Sequence, residues 1–208
     1  MAGTEPVAQP GDAGHPDSTP PRDAETGGTR PRNHRINARA IISLAAVALL
    51  VLAADQFTKF LIVSNLTPGE HNPVLGELLQ FVFVKNSGAA FSLASGSTWI
   101  FSIAASAVTV FIILFAHRIR SLAWAVLFGM LLGGTLGNLI DRLFREPSFG
   151  LGHVVDFIQV WGFPAIFNVA DIFIVSSMGL FIILSVRGVR LDGTRDAAGD
   201  RDTVPEAK

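Results

Sequence analysis

Thr98–Ala116, TWIFSIAASAVTVFIILFA, runs for nineteen residues without one charged side chain. At 1.5 Å of rise per residue it reaches about 28 Å, close to the ~30 Å hydrocarbon core of a bilayer. The segment therefore predicts a transmembrane helix. Three further apolar stretches of similar length flank it: about Ala40–Val63, interrupted by Asp55 and Lys59; Leu122–Ile140, rich in Gly; and Phe167–Val186, with Asn168 and Asp171 near its start. The first could be mistaken for a signal peptide, but a 39-residue polar leader and three further spans favour its retention.

Charge distribution agrees. Residues 1–39 carry five Arg and five acids, and residues 187–208 carry four Arg, one Lys and five acids, whereas the 147 residues from 40 to 186 carry only 13 charges. So few charges cannot clothe a soluble globule, and so apolar a centre excludes a disordered protein. Both tails lack periodicity and read as disordered. A formal net charge of −1 gives no support to nucleic-acid binding. With no cysteine there can be no disulfide, thiolate metal site or Cys nucleophile.

Arginine sets the expected orientation. Arg30, Arg32, Arg35 and Arg39 precede the first span, Arg118 and Arg120 link the second to the third, and Arg187 and Arg190 follow the fourth. The positive-inside rule places all three clusters, and both termini, in the cytoplasm. The longer connections, 64–97 and 141–166, then face outward. Within the first, Leu78–Val84 (LLQFVFV) is dense in β-branched and aromatic residues and ends on the turn signal Lys85-Asn86-Ser87-Gly88. A small sheet on the outer membrane surface is expected; the alternative is an apolar loop resting among headgroups.

Acids inside membrane spans are costly and mark function or a pairing partner. Asp55 and Asp171 lie near the outer ends of the first and fourth spans, Asp141 ends the third, and Asp156 precedes the fourth, so all four reach one level. An ion pathway would spread its polar groups through the membrane's depth. Helical spacing groups Asn168 with Asp171, and Asn138 with Asp141 and Arg142, with Asp141 assigned to holding Arg142 and Asn138. It also pairs Asp55 with Lys59, for which a self-compensating interfacial salt bridge is an equal alternative. Arg142 could instead snorkel to headgroups. The five His have no ligand-like spacing, so zinc chemistry lacks ligands, and no Ser sits in a recognisable Ser/His setting. Paired carboxylates remain: two close Asp share a proton, so that one acts as acid and the other as base.

These motifs resemble bacterial lipoprotein signal peptidase (signal peptidase II), a four-span aspartyl endopeptidase of the cytoplasmic membrane. The similarity covers about residues 40–186, and its motifs come in the family's order: Asp55-Gln56-Phe57-Thr58-Lys59, then Val84 to Phe91 (VKNSGAAF), Gly134 to Arg142 (GTLGNLIDR), Val154-Val155-Asp156-Phe157, and Phe167 to Asp171 (FNVAD). The resemblance implies an all-α membrane protein of four transmembrane helices with a small extracytoplasmic β-sheet. It covers the four-span peptidase domain (40–186) and not the tails, which composition and the arginine placement give as disordered cytoplasmic segments (1–39 and 187–208). It places the catalytic pair at Asp156 and Asp171, supported by Asp55, Lys59, Asn86, Asn138, Asp141, Arg142 and Asn168, with no metal and no cofactor. The implied substrate is a diacylglyceryl-modified prolipoprotein cut just before its lipidated cysteine, with residues 78–91 closing over the site. Lipids are the expected surroundings, and a monomer the expected state, since only the Gly-rich third span suggests a self-association stripe.

Two other classes remain. A transporter or channel predicts internal repeats and mid-depth polar residues, neither of which the sequence contains. A non-catalytic scaffold would keep working after its carboxylates were replaced. A presenilin-type protease also uses two Asp, but its Gly-x-Gly-Asp signature is absent.

Overall fold

The computed structural model describes residues 3, 37–88 and 98–195. The chain divides into two units, Met1–His34 and Arg35–Lys208, and the architecture below belongs to the second. Of the tails expected to be disordered, 1–39 and 187–208, residues 1–2, 4–36 and 196–208 lie outside the described residues, as does the 89–91 end of the expected cover, while a helix already begins at Ala38, inside the first expected tail.

Among the described residues, four helices are long and apolar enough to cross a membrane: α1 (Ala38–Asn65), α2 (Thr98–Phe115, prolonged by a 3-10 turn to Arg118), α3 (Leu122–Phe144) and α4 (Val169–Val186). Their burial is inverted relative to a soluble bundle. Leu49, Leu50, Phe57 and Phe60 of α1, Phe111 and Leu114 of α2, and Val175 and Ile182 of α4 are exposed, as side chains facing lipid should be. At the axis stands α3, 56% of whose apolar window is buried, against 17% for α2 and α4.

Glycine explains how α3 reaches that position. A Cβ at Gly129 would meet the Leu44 carbonyl at 2.8 Å, and one at Gly133 would meet the Ala48 carbonyl at 2.6 Å, so α3 lies directly against the backbone of α1. On the neighbouring face, Gly134 approaches the Ala170 carbonyl of α4, where a Cβ would lie 2.7 Å away. The stripe that resembled a self-association surface is spent inside one chain, where small residues let backbones approach and disperse against each other.

Three antiparallel strands, β1 (His71–Leu75), β2 (Leu79–Asn86) and β3 (Val154–Val160), form a sheet in that order. Leu79 pairs with Val160 and Val84 with Asp156, with a register shift between Phe81 and Val84. Phe83, Val155 and Phe157 pack with Ile62 near the end of α1, which seats the sheet on one end of the bundle.

At the opposite end, the reading of disorder from residue 187 is corrected. Residues 187–195 form a turn bridged between Val189 and Arg195. Its Leu191 carbonyl accepts the amides of Arg120 and Ser121, and its Val189 carbonyl accepts Trp124 Nε1 at 2.9 Å. Backbone acceptors hold this hook together with Val189 and Leu191, which pack against the apolar core.

The close α1–α3 contact predicts that Gly133→Ala, which must push backbone against backbone, destabilises the protein by about 1–3 kcal/mol. Gly179→Ala, whose added methyl meets open space, should change stability by less than about 1 kcal/mol. Thermal unfolding in detergent checks the pair; equal midpoints would refute the glycine-set contact.

Candidate active site

Where the sheet meets α1, α3 and α4, a polar cluster is buried. Its centre is Lys59, inaccessible to solvent, whose Nζ donates to Asp55 Oδ2 at 2.8 Å, Asp141 Oδ2 at 2.8 Å and Asn138 Oδ1 at 3.0 Å. A desolvated ammonium is tolerated only when paired and fully hydrogen-bonded, and three acceptors meet that need. The i,i+4 spacing of Asp55 and Lys59 correctly pairs them, but the pair is not self-contained, because Asp141 shares the cation.

Each carboxylate of the cluster then reaches another element. Asp55 Oδ1 accepts the Ala170 amide at 3.0 Å, in the first turn of α4. Asp141 Oδ2 accepts the Val155 amide of β3 at 3.2 Å, and its Oδ1 accepts Arg145 Nε at 2.6 Å. Asp141 was expected to hold Arg142 and Asn138; it instead holds Lys59, Arg145 and β3. Shared helical face does not decide this, since the strongest donors come from another helix and from the next turn.

Asp156 and Asp171 stand outside the charged centre and are held by amides. Asn168 joins them: its Nδ2 donates to Asp156 Oδ1 at 2.6 Å, and its Oδ1 accepts the Asp171 amide at 3.1 Å. Asp171 Oδ2 in turn accepts the Asn168 amide at 3.1 Å, completing a capping box at the start of α4. Asn138 Nδ2 donates to Asp171 Oδ1 at 2.9 Å, and Asn86 Nδ2 donates to Asp156 Oδ2 at 2.7 Å. Both Asp line one cleft of about 490 Å³, walled by Phe163, Ile172 and Val175.

Arg142 takes a separate position. Its guanidinium stacks over the Phe101 ring at 5.1 Å, and its buried Nη1 has no partner among the described residues. It lines a second cavity with Asn86, Gly88 and Asp156, so it does not snorkel away from the cluster. The structure thus brings eight of the nine sequence-nominated residues into one hydrogen-bonded network, with Arg142 beside it.

Three contributors carried no signal strong enough to nominate them. Gln56 Nε2 donates to the Gly137 carbonyl at 3.0 Å, Phe101 comes from a span read as purely apolar, and Arg145 lies one turn beyond Asp141. The i,i+4 spacing of Asp141 and Arg145 was the one clue available.

Burial, opposed by the donors Asn86 and Asn168 and reinforced by the neighbouring Asp171 charge, pushes the Asp156 carboxyl up to about 6. A buried carboxyl that holds its proton up to about pH 6, well above the ordinary carboxylate range, beside another carboxyl group, suits a group that donates that proton.

Comparison with known proteins identifies related chains. The family described as signal peptidase (SPase) II matches residues 47–187. The lipoprotein signal peptidase of Leifsonia xyli subsp. xyli is 59% identical over 165 residues, covering 79% of this chain and 76% of that one. The lipoprotein signal peptidase of Mycobacterium avium is 44% identical over 167 residues, covering 80% and 90%. Two structures of a bacterial membrane enzyme, solved by the in meso method, are each 30% identical, with TM-scores of 0.62 and 0.63, and cover 70% and 71% of this chain and 88% and 94% of theirs.

The raised Asp156 carboxyl carries a stability consequence. In the unfolded chain the group titrates near 4, in the folded protein near 6. Its contribution is complete below about pH 4 and is lost as pH rises through 6, by up to about 3 kcal/mol. Relative to Asp156→Asn, the wild-type unfolding midpoint should therefore fall between pH 4 and pH 7. Parallel pH profiles for the two proteins would contradict the burial argument.

Proposed function

The chain belongs to the signal peptidase II family, and on that premise we propose a residue-level mechanism, a cleavage position and a membrane orientation. The protein is a membrane-embedded protease, and its family removes signal peptides from prolipoproteins. In the proposed reaction the substrate is a prolipoprotein already carrying diacylglycerol on its cysteine, and the bond cut is the amide just before that cysteine. One observation carries the reading: two carboxyls from different elements, Asp156 on β3 and Asp171 on α4, are joined through Asn168 and line the same cleft.

Water is activated between the two carboxyls. Asp171, which accepts amide donors on both oxygens at the N-terminus of α4, takes a proton from water. Asp156, buried and holding its proton, donates to the scissile carbonyl oxygen. Arg142 Nη1, which has no partner among the described residues, supplies a donor to a neighbouring backbone carbonyl of the substrate. As the tetrahedral intermediate collapses and its C–N bond breaks, the proton gained by Asp171 passes to the leaving amine, and the hydroxyl formed from the carbonyl oxygen returns its proton to Asp156. Lys59, Asp55 and Asp141 hold the scaffold and touch no reacting atom.

Orientation follows the arginines. Arg39, Arg118, Arg120, Arg187 and Arg190 gather at the end opposite the sheet, which supports cytoplasmic termini and an extracytoplasmic active site. The glycine faces of α3 are already occupied within the chain, which supports a monomer among membrane lipids.

Purified protein incubated with a lipidated precursor should release the signal peptide. Asp156→Asn and Asp171→Asn should each lower turnover at least 10²–10⁴-fold, the usual worth of general acid–base catalysis, with substrate binding largely kept. Asp141→Asn should instead lower stability more and turnover per folded molecule less. Loss of cleavage in Asp141→Asn with near-normal Asp156→Asn would reverse the assignment. Because the chain has no native cysteine, single replacements report topology without background. Ser148→Cys should react with an impermeant maleimide in intact cells, and His117→Cys only after permeabilisation; the opposite pattern would invert the protein.

A further inference from the structure

A cavity of about 350 Å³ lies where the span ends meet the sheet, and it shares no residue with the cleft of Asp156 and Asp171. Lys85 of β2, Arg145 after α3 and His153 before β3 form its polar side; Val63 and Phe144, in the last turns of α1 and α3, form its apolar side. Glu146 is the acidic residue of the lining. It accepts Lys85 Nζ at 2.8 Å, but its side chain is 82% exposed, and such a surface pair is worth only about 0–1 kcal/mol and exchanges readily. Arg145 gives Nε to Asp141, and Nε is one of the three nitrogens in its donor fork.

Two cations, with a third supplied whenever His153 is protonated, thus face one exposed carboxylate. They do so at the depth where two membrane helices end. Polar headgroups occupy that level of a bilayer, and acyl chains begin just below it. We propose that this cavity is a binding site for an anionic phospholipid, the headgroup phosphate on Lys85 and Arg145, with Glu146 displaced toward solvent, and the glycerol and first acyl carbons against Val63 and Phe144. A soluble phosphate ester would use the cations and leave the apolar side unfilled. A zwitterionic lipid would bring its own cation to a basic rim. The apolar side therefore selects a lipid, and the charge selects an anionic one.

Native mass spectrometry of the full chain, released from detergent with phosphatidylglycerol, phosphatidylcholine or glycerol phosphate, tests this. The wild type should retain phosphatidylglycerol most tightly. Each surface cation contributes about 1 kcal/mol toward an anionic lipid, so Lys85→Gln should weaken retention about fivefold, and Lys85→Gln with Arg145→Gln about 25-fold. Arg187→Gln, at the far end of the bundle, should leave it unchanged. Because Arg145 also touches Asp141, the single Lys85 variant decides the matter if the double variant fails to fold. Unchanged retention in Lys85→Gln, equal loss in Arg187→Gln, or equal affinity for glycerol phosphate would each overturn the proposal.

Discussion

One buried ammonium organises this end of the protein. Lys59 sits within hydrogen-bond distance of Asp55, Asp141 and Asn138, with no exposure to solvent. In a lipid-embedded bundle an uncompensated charge has no water to retreat to, and removing one partner of such a cluster typically costs about 3–5 kcal/mol. The contacts are also geometric. Lys59 to Asp141 ties α1 to α3, Asp55 to the Ala170 amide ties α1 to the first turn of α4, and Asp141 to the Val155 amide ties α3 to β3. Asp171 lies one residue after Ala170, and Asp156 one after Val155. The charged centre thereby sets the position of both candidate catalytic carboxyls without contacting either.

That separation has a chemical reason. A lysine or arginine bonded directly to the pair would favour ionisation of both carboxyls and remove the proton that the proposed reaction needs on one of them. Asparagines stand in the gap instead: Asn138 accepts from Lys59 through Oδ1 and donates to Asp171 through Nδ2, while Asn168 and Asn86 donate to Asp156. Neutral amides fix the orientation of a carboxyl while pulling on its proton less than a cation does. Two polar populations thus meet here: the ions around Lys59 tie the elements together, and the amides orient Asp156 and Asp171.

Much of this was legible in sequence for identifiable reasons. Spans announce themselves because hydropathy needs no partner to be read, and the common depth of the four acids follows from where each span ends. Pairings were less legible. Spacing set Asn138, Asp141 and Arg142 on one helical face, but it is silent on Lys59 arriving from α1 or Phe101 from α2. The hook at 187–195 is mostly polar and rich in turn residues, which reads as disorder; its order rests on carbonyls meeting Ser121 and Trp124 and on Val189 and Leu191 packing against the core, and two isolated apolar residues and backbone acceptors leave little mark in a sequence. The α3 glycines were visible, but whether they face another copy or their own neighbours depends on packing that composition does not encode.

A site built partly on a strand and partly on a helix start also answers a problem posed by a transmembrane substrate. The amides of a membrane helix are bonded internally, and in hydrocarbon an amide freed from that ladder costs several kcal/mol unless another partner replaces it. A protease acting on such a chain must open a turn before water can reach the carbonyl. Beside Asp156 the wall of the cleft offers the polar ends of Asn86, Ser87 and Arg142, and beside Asp171 it is apolar, with Ile172 and Val175. In the proposed reaction the first wall takes up the substrate's freed backbone groups while the second keeps the remaining helix in an environment like lipid. Of the first wall's polar groups the helices supply only Arg142, and the sheet, although a minor part of the fold, brings in Asn86 and Asp156.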